Sequence, residues 1–104
     1  MVRPPFGFVD SAVKAAAGAP LICWSVDTED WRDGDTDRIR AVVAHKAEDG
    51  SIVLMHDIYD RSVTAALACV DDLLARGFRL VTVEELFALR GITPQPGRVY
   101  HTVC

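Results

Sequence analysis

Apolar residues along this chain come in two rhythms. Continuous runs occur at residues 21–26, where Leu21, Ile22, Cys23, Trp24 and Val26 cluster, at Ile52-Val53-Leu54-Met55, and within residues 78–83. Short unbroken runs of aliphatic and β-branched residues predict strands covered on both faces, as in a parallel sheet. Between them, apolar residues recur at steps of three and four. That spacing predicts a helix over residues 36–47, capped by Asp35 or Thr36, with Ile39, Val42, Val43 and Ala47 on its inner face. It predicts a second over 61–77, with Val63, Leu67, Val70 and Leu74 as its apolar stripe and Gly77 as its stop. An alanine-rich segment over 9–18 and a capped segment over 83–90 complete the helices, stopped by Gly18 and Gly91.

The remaining stretches are polar or broken by proline. Residues 3–7 are stiffened by Pro4 and Pro5, and residues 27–35 form a long acidic loop. Residues 92–104 hold Pro94, Pro96 and Gly97 and are expected to run over the surface as a tail, after a partial domain spanning 1–91. Helices and strands alternate, so the chain is of the α/β class, built from βαβ units with parallel strands. Three strands are few. A sheet of that size leaves two edges open, so the chain is expected to self-associate or to need a missing part of its domain.

Composition narrows the function. Half of the 104 residues are hydrophobic, a quarter are charged and the net charge is −4. Those proportions suit a folded protein and exclude a disordered one, and no basic stripe invites nucleic acid. No apolar run approaches the roughly 20 residues of a membrane span, and the start lacks a signal-peptide pattern. The three cysteines, Cys23, Cys69 and Cys104, have neither metal-site nor disulfide-scaffold spacing.

Candidate chemistry gathers at strand ends. His56 and Asp57 follow the second apolar run, and Asp27, Asp30 and Trp31 follow the first. In α/β folds, ligands and catalytic groups collect at the carboxyl ends of strands. Neighbouring strands lie about 5 Å apart, so side chains from two such ends can meet. A carboxylate beside a histidine orients the ring and favours its protonated form, as a general acid requires. Trp24, inside the strand, reads as core. Asp57 reads as a cap for the following segment, and His45 and His101 read as solvated.

Three stretches in order carry a family likeness: Arg3-Pro4-Pro5-Phe6-Gly7, Trp24-Ser25-Val26-Asp27-Thr28-Glu29-Asp30-Trp31 and Val53-Leu54-Met55-His56-Asp57. The chain resembles the polysaccharide deacetylase family (NodB homology domain, carbohydrate esterase family 4), over about residues 2–90 and in its C-terminal half only. The resemblance implies part of a distorted (β/α) barrel that removes N-acetyl or O-acetyl groups from peptidoglycan, chitin or xylan. It implies that His56 is the general acid and Asp30 its partner, with Asp27 the other candidate for that place. Arg3 would hold the base aspartate, and the backbone N–H of Phe6 would help bind the oxyanion. Trp31 and Leu54 would line the sugar groove, Leu54 around the acetyl methyl. A secreted or cell-envelope location is implied for a bacterial parent.

The family's two upstream motifs, a paired-aspartate segment and a His-x-x-x-His segment, have no match here. A divalent metal, zinc or similar, is therefore expected in the complete domain, with none ligated by this chain alone, and the chain alone is expected to be inactive. Two other readings stand beside this one. One is a non-catalytic carbohydrate-binding or scaffold piece; the other is a different metallohydrolase in which Asp27, Asp30 and His56 are themselves ligands, in a site completed across a dimer.

Overall fold

The run at residues 21–27 is one extended path that changes its neighbour halfway along. Its first part is β1, Leu21–Ile22, and its last is β2, Val26–Asp27. β1 pairs in parallel with β4, Val99–Tyr100, whereas β2 pairs in parallel with β3, Val53–Leu54. Ser25 sits at the changeover: its hydroxyl accepts from the Ile52 N–H at 3.0 Å, taking the place of a backbone rung. The Ser25 and Val26 N–H groups both donate to the Ile52 carbonyl, at 2.9 and 3.1 Å. On the other side of β1, the Ile22 N–H donates to the Val2 carbonyl at 2.7 Å. This computed structural model describes residues 1–4, 7–33, 35–57 and 59–103.

The helices start and stop where the sequence signals do. Asp10 caps α1, Ser11–Ala17, through the Val13 N–H, and Gly18 ends it in the left-handed conformation. Asp35 caps α3, Thr36–Lys46, by accepting from the N–H groups of Asp37 and Arg38. Thr82 caps α5, Val83–Arg90, and Gly91 ends it. Between β2 and α3, the segment expected as a loop contains a single helical turn, α2, Asp30–Asp33.

Two cores hold these elements. Ile39 and Val43 of α3 pack with Ala65, Cys69 and Leu73 of α4, Asp60–Ala75. Ile22, Ile52, Phe87 and Val103 form the second, where the Phe87 and Tyr100 rings meet edge to face at 4.8 Å. Cys23 and Cys69 are buried free thiols. Trp24 packs against the second core, and a Cβ on Gly7, whose φ is +67°, would lie 2.7 Å from its ring. Only glycine allows both that angle and that approach.

Three expectations are corrected. The apolar stripe assigned to α4 faces outward: Val63, Leu67, Val70 and Leu74 are 41%, 63%, 36% and 53% exposed. The buried face is Ser62, Ala65, Cys69 and Leu73, whose small first three members bring the helix close to its neighbours. Both stripes satisfy helical spacing, so periodicity alone does not choose between them. Residues 78–83 form no strand and pair with none of the strands among the described residues. A cavity of about 710 Å³, lined by Val53, Phe78, Leu80 and Val81 among others, separates them from β3. Last, the segment expected as a surface tail supplies β4 and buries Val103 to 2% exposure.

Candidate active site

β2 and β3 lie in parallel register, with Asp27 opposite Leu54. Asp30 therefore follows the end of one strand and His56 the end of the other. The two side chains meet. His56 Nδ1 lies 2.7 Å from Asp30 Oδ1, and the His56 backbone N–H donates to Asp30 Oδ2, also at 2.7 Å. Both carboxylate oxygens are thus engaged by one residue, which fixes the ring relative to its own backbone. Asp30 is 1% exposed, while the His56 side chain is 36% exposed.

Burial disfavours the Asp30 carboxylate, but the bonds from the His56 ring and backbone and the charge of the imidazolium outweigh it. The carboxyl is held below its ordinary range. The Ser62 hydroxyl on α4, fully buried, makes no hydrogen bond of full geometry, yet stands near enough to Asp30 to add a last, smaller stabilisation. An ionised carboxylate only accepts, so the proton between the pair belongs to Nδ1. Nε2 is then left for whatever enters the site. In the imidazolium it is a proton donor, and in the neutral ring an acceptor.

The turn that presents Asp30 is unusual. Glu29, immediately before it, has φ of +49° without being glycine. Such a conformation costs of order 1–3 kcal/mol and persists only where surroundings enforce it. Here Asp27 Oδ1 accepts from the Glu29 N–H at 3.0 Å, and the buried Thr28 hydroxyl donates to the Leu54 carbonyl at 2.8 Å. From α3, Arg38 Nη1 donates to the Thr28 carbonyl and Nη2 to the Glu29 carbonyl, each at 2.9 Å.

The peptidoglycan-N-acetylglucosamine deacetylase PgdA of Listeria monocytogenes serotype 1/2a is 40% identical over 86 residues, 83% of this chain and 18% of that protein. The solved structure of T48 deacetylase with substrate superposes with a TM-score of 0.86 at 39% identity, covering 94% of this chain and 48% of that one. The chain belongs to the polysaccharide deacetylase family, carbohydrate esterase family 4. A family 4 acetyl xylan esterase from Clostridium thermocellum, solved in complex with a cobalt ion, matches with a TM-score of 0.88 at 26% identity, over 97% of this chain and 52% of that one. No protein-family model matches the chain. Its fold is part of this family's distorted (β/α) barrel, and it spans about half the length of these solved deacetylases.

Within this partial deacetylase domain, the expected site residues separate. Asp30 and His56 come together. Asp27 is exposed and turned to the Glu29 N–H, not to His56. Arg3 donates weakly to the carbonyls of Ile22 and Cys23, at 3.4 and 3.5 Å. Trp31 is 55% exposed beside Asp30, and Leu54 is buried to 8%. Phe6 lies outside the described residues. No side chain caps α4, so the capping role expected of Asp57 is not seen. His45 is exposed, and exposed His101 has its Nδ1 3.3 Å from the Trp24 carbonyl. Among the described residues no three His, Cys, Asp or Glu side chains gather as a metal site. With Asp27 turned to the Glu29 N–H, Asp27, Asp30 and His56 form no joint ligand set within one chain. Thr28, Arg38 and Ser62 escaped sequence reasoning. Arg38 sits on a helix at an ordinary polar position, and only the fold shows that it reaches back to the turn.

Proposed function

We propose that this chain supplies the proton-donating side of a metal-dependent polysaccharide deacetylase site, which the remaining part of the barrel completes. The Asp30–His56 pair carries the proposal. The reaction is hydrolysis of an N-acetyl or O-acetyl group on peptidoglycan, chitin or xylan. Water adds to the acetyl carbonyl, the bond from that carbon to the sugar nitrogen or oxygen breaks, and acetate leaves. His56 Nε2–H gives its proton to the departing nitrogen or oxygen as that bond breaks. Asp30 keeps the ring aligned and balances its charge.

The neighbours take supporting roles. Trp31 offers an exposed aromatic face on which a sugar ring can stack, and Leu54 bounds the acetyl methyl. Arg3 steadies the base aspartate of the other part. Asp27 acts through the Glu29 turn. The described residues of this chain do not fit a divalent ion, so the metal and the base belong to the rest of the domain. The chain by itself is inactive, its partner is that other part or a second copy, and the parent acts at the cell envelope or outside the cell. No helix of the described residues is long and apolar enough to cross a membrane.

The test is acetate release from chitooligosaccharide, peptidoglycan and acetylxylan by the chain joined to the N-terminal half of a family barrel. The completed domain is expected to act on at least one, and His56→Ala to lower the rate by about 10²–10⁴. Equal rates with and without the imidazole would sink the proposal. Trp31 favours one other reading, a non-catalytic glycan-binding piece. Glycan binding indifferent to chelator and to His56→Ala, without any acetate release, would select it.

A further inference from the structure

We propose that Arg38 is a positioning residue: by binding the Thr28 and Glu29 carbonyls it locks the left-handed turn that aims Asp30 at His56. The inference rests on reading His56 as the proton donor, but its geometry stands apart from any activity. Arg38 Nη1 and Nη2 reach two successive carbonyls at 2.9 Å each, those of the residues just before Asp30. The other edge of the guanidinium holds Asp33, with Nε 3.1 Å from both carboxylate oxygens and Nη2 2.9 Å from Oδ1. Asp33 ends the same helical turn that Asp30 begins. One planar group therefore grips the backbone before Asp30 and the side chain after it.

The chemistry asks for arginine. Its five donors lie in a rigid fork, so two carbonyls and a carboxylate are satisfied at once without choosing among them. A lysine ammonium is a single point and cannot span them. The Arg38 side chain is 22% exposed, so these bonds are partly shielded from water. Without the grip, Glu29 at φ +49° is free to relax towards ordinary backbone angles. Asp30 follows it directly, so that rotation swings the carboxylate away from His56. Arg38 touches no substrate. It acts through Asp30.

The test is NMR of the 104-residue chain, observing the His56 Nδ1–H resonance and the ring ¹⁵N pattern that reports which nitrogen is protonated. Wild type is expected to show a downfield, slowly exchanging Nδ1–H. Asp30→Asn serves as the reference for its loss. Arg38→Ala is expected to lose the resonance and mix the two tautomers, and Arg38→Lys to restore it at best in part. Arg40→Ala breaks the exposed pair that Arg40 makes with Asp72, at 2.8 and 2.7 Å, on the same helix. It is expected to leave the signal intact, which separates positioning from a general loosening of α3. If Arg38→Ala stays folded and keeps the wild-type resonance, the proposal is overturned. If Arg38→Ala does not fold, Arg38→Lys decides: a wild-type signal overturns the proposal and a broadened or lost one upholds it. Acetate release by the completed domain tests the proton-donor reading separately, so failure of one does not pass for failure of the other.

Discussion

An aspartate in an unfolded chain takes up a proton as the pH falls through about 4. Asp30 resists, because burial is outweighed by its two bonds to His56 and by the charge of the ring. A folded value below the unfolded one contributes stability that is fully present above pH 4 or so. That contribution drains as the pH falls from there through the lower folded value. Denaturant midpoints of the chain are expected to drop across this window, with a shallower drop in Asp30→Asn. At neutral pH that variant is expected to be less stable by about 1–3 kcal/mol, the range for a hydrogen bond to a charged group. Identical pH dependence in both proteins would contradict the assignment. Asp33 and Asp72 are also lowered, by Arg38 and Arg40 respectively, but they sit in more exposed pairs. Their share should fade in high salt. At this scale the sequence named both members of the pair, preferring Asp30 and keeping Asp27 as the other candidate. Two acids three residues apart in one loop look alike until the backbone turn at Glu29 faces one inward.

Secondary structure was legible where a local device decides it. Caps such as Asp35 and Thr82, and stops such as Gly18 and Gly91, act within one turn, and those helices fall close to where they were expected. What lay beyond reach were features set by distant partners: the inner face of α4, the missing strand at 78–83 and the pairing of β4. The α4 reversal gives a direct comparison. Leu73→Ala is expected to cost about 2–5 kcal/mol by opening a cavity in the core. Leu67→Ala, on the outward face, should stay within about 0.5 kcal/mol of wild type. Urea melts of the two variants check this, and the opposite ranking would restore the stripe that spacing alone suggested.

At the scale of the whole chain, the apolar surface is incompletely covered. The radius of gyration is 14.4 Å, against about 13 Å for a compact domain of this size. Its extents, 39 × 29 × 19 Å, describe a slab. Along one side run Val63, Leu67, Val70 and Leu74, and beside them an open groove joins Met55 and His56 to that stripe. An exposed apolar face of this kind marks a surface meant to be covered. Light scattering is therefore expected to find the isolated chain associated, and Leu67→Glu to shift it towards monomer without lowering its melting temperature. A wild-type monomer at all concentrations would contradict this. The sequence hinted at incompleteness by having too few strands. It gave no sign of which surface is left bare, since that depends on which of two equivalent stripes α4 turns inward.

The pairing of β1 with β4 sets an order in time. Leu21 cannot pair with Val99, its parallel partner, until every residue between them has been made. The unit from β2 through α4 closes much earlier, because Val26 needs only Val53 and Ile39 needs only the helix that follows. On the ribosome, the turn carrying Asp30 and the strand leading to His56 can therefore meet before the segment holding Val99 and Val103 has been made. Ile22 and Phe87 are then sealed under the late-arriving Val103. The Asp30–His56 pair can form before β4 and the second core do.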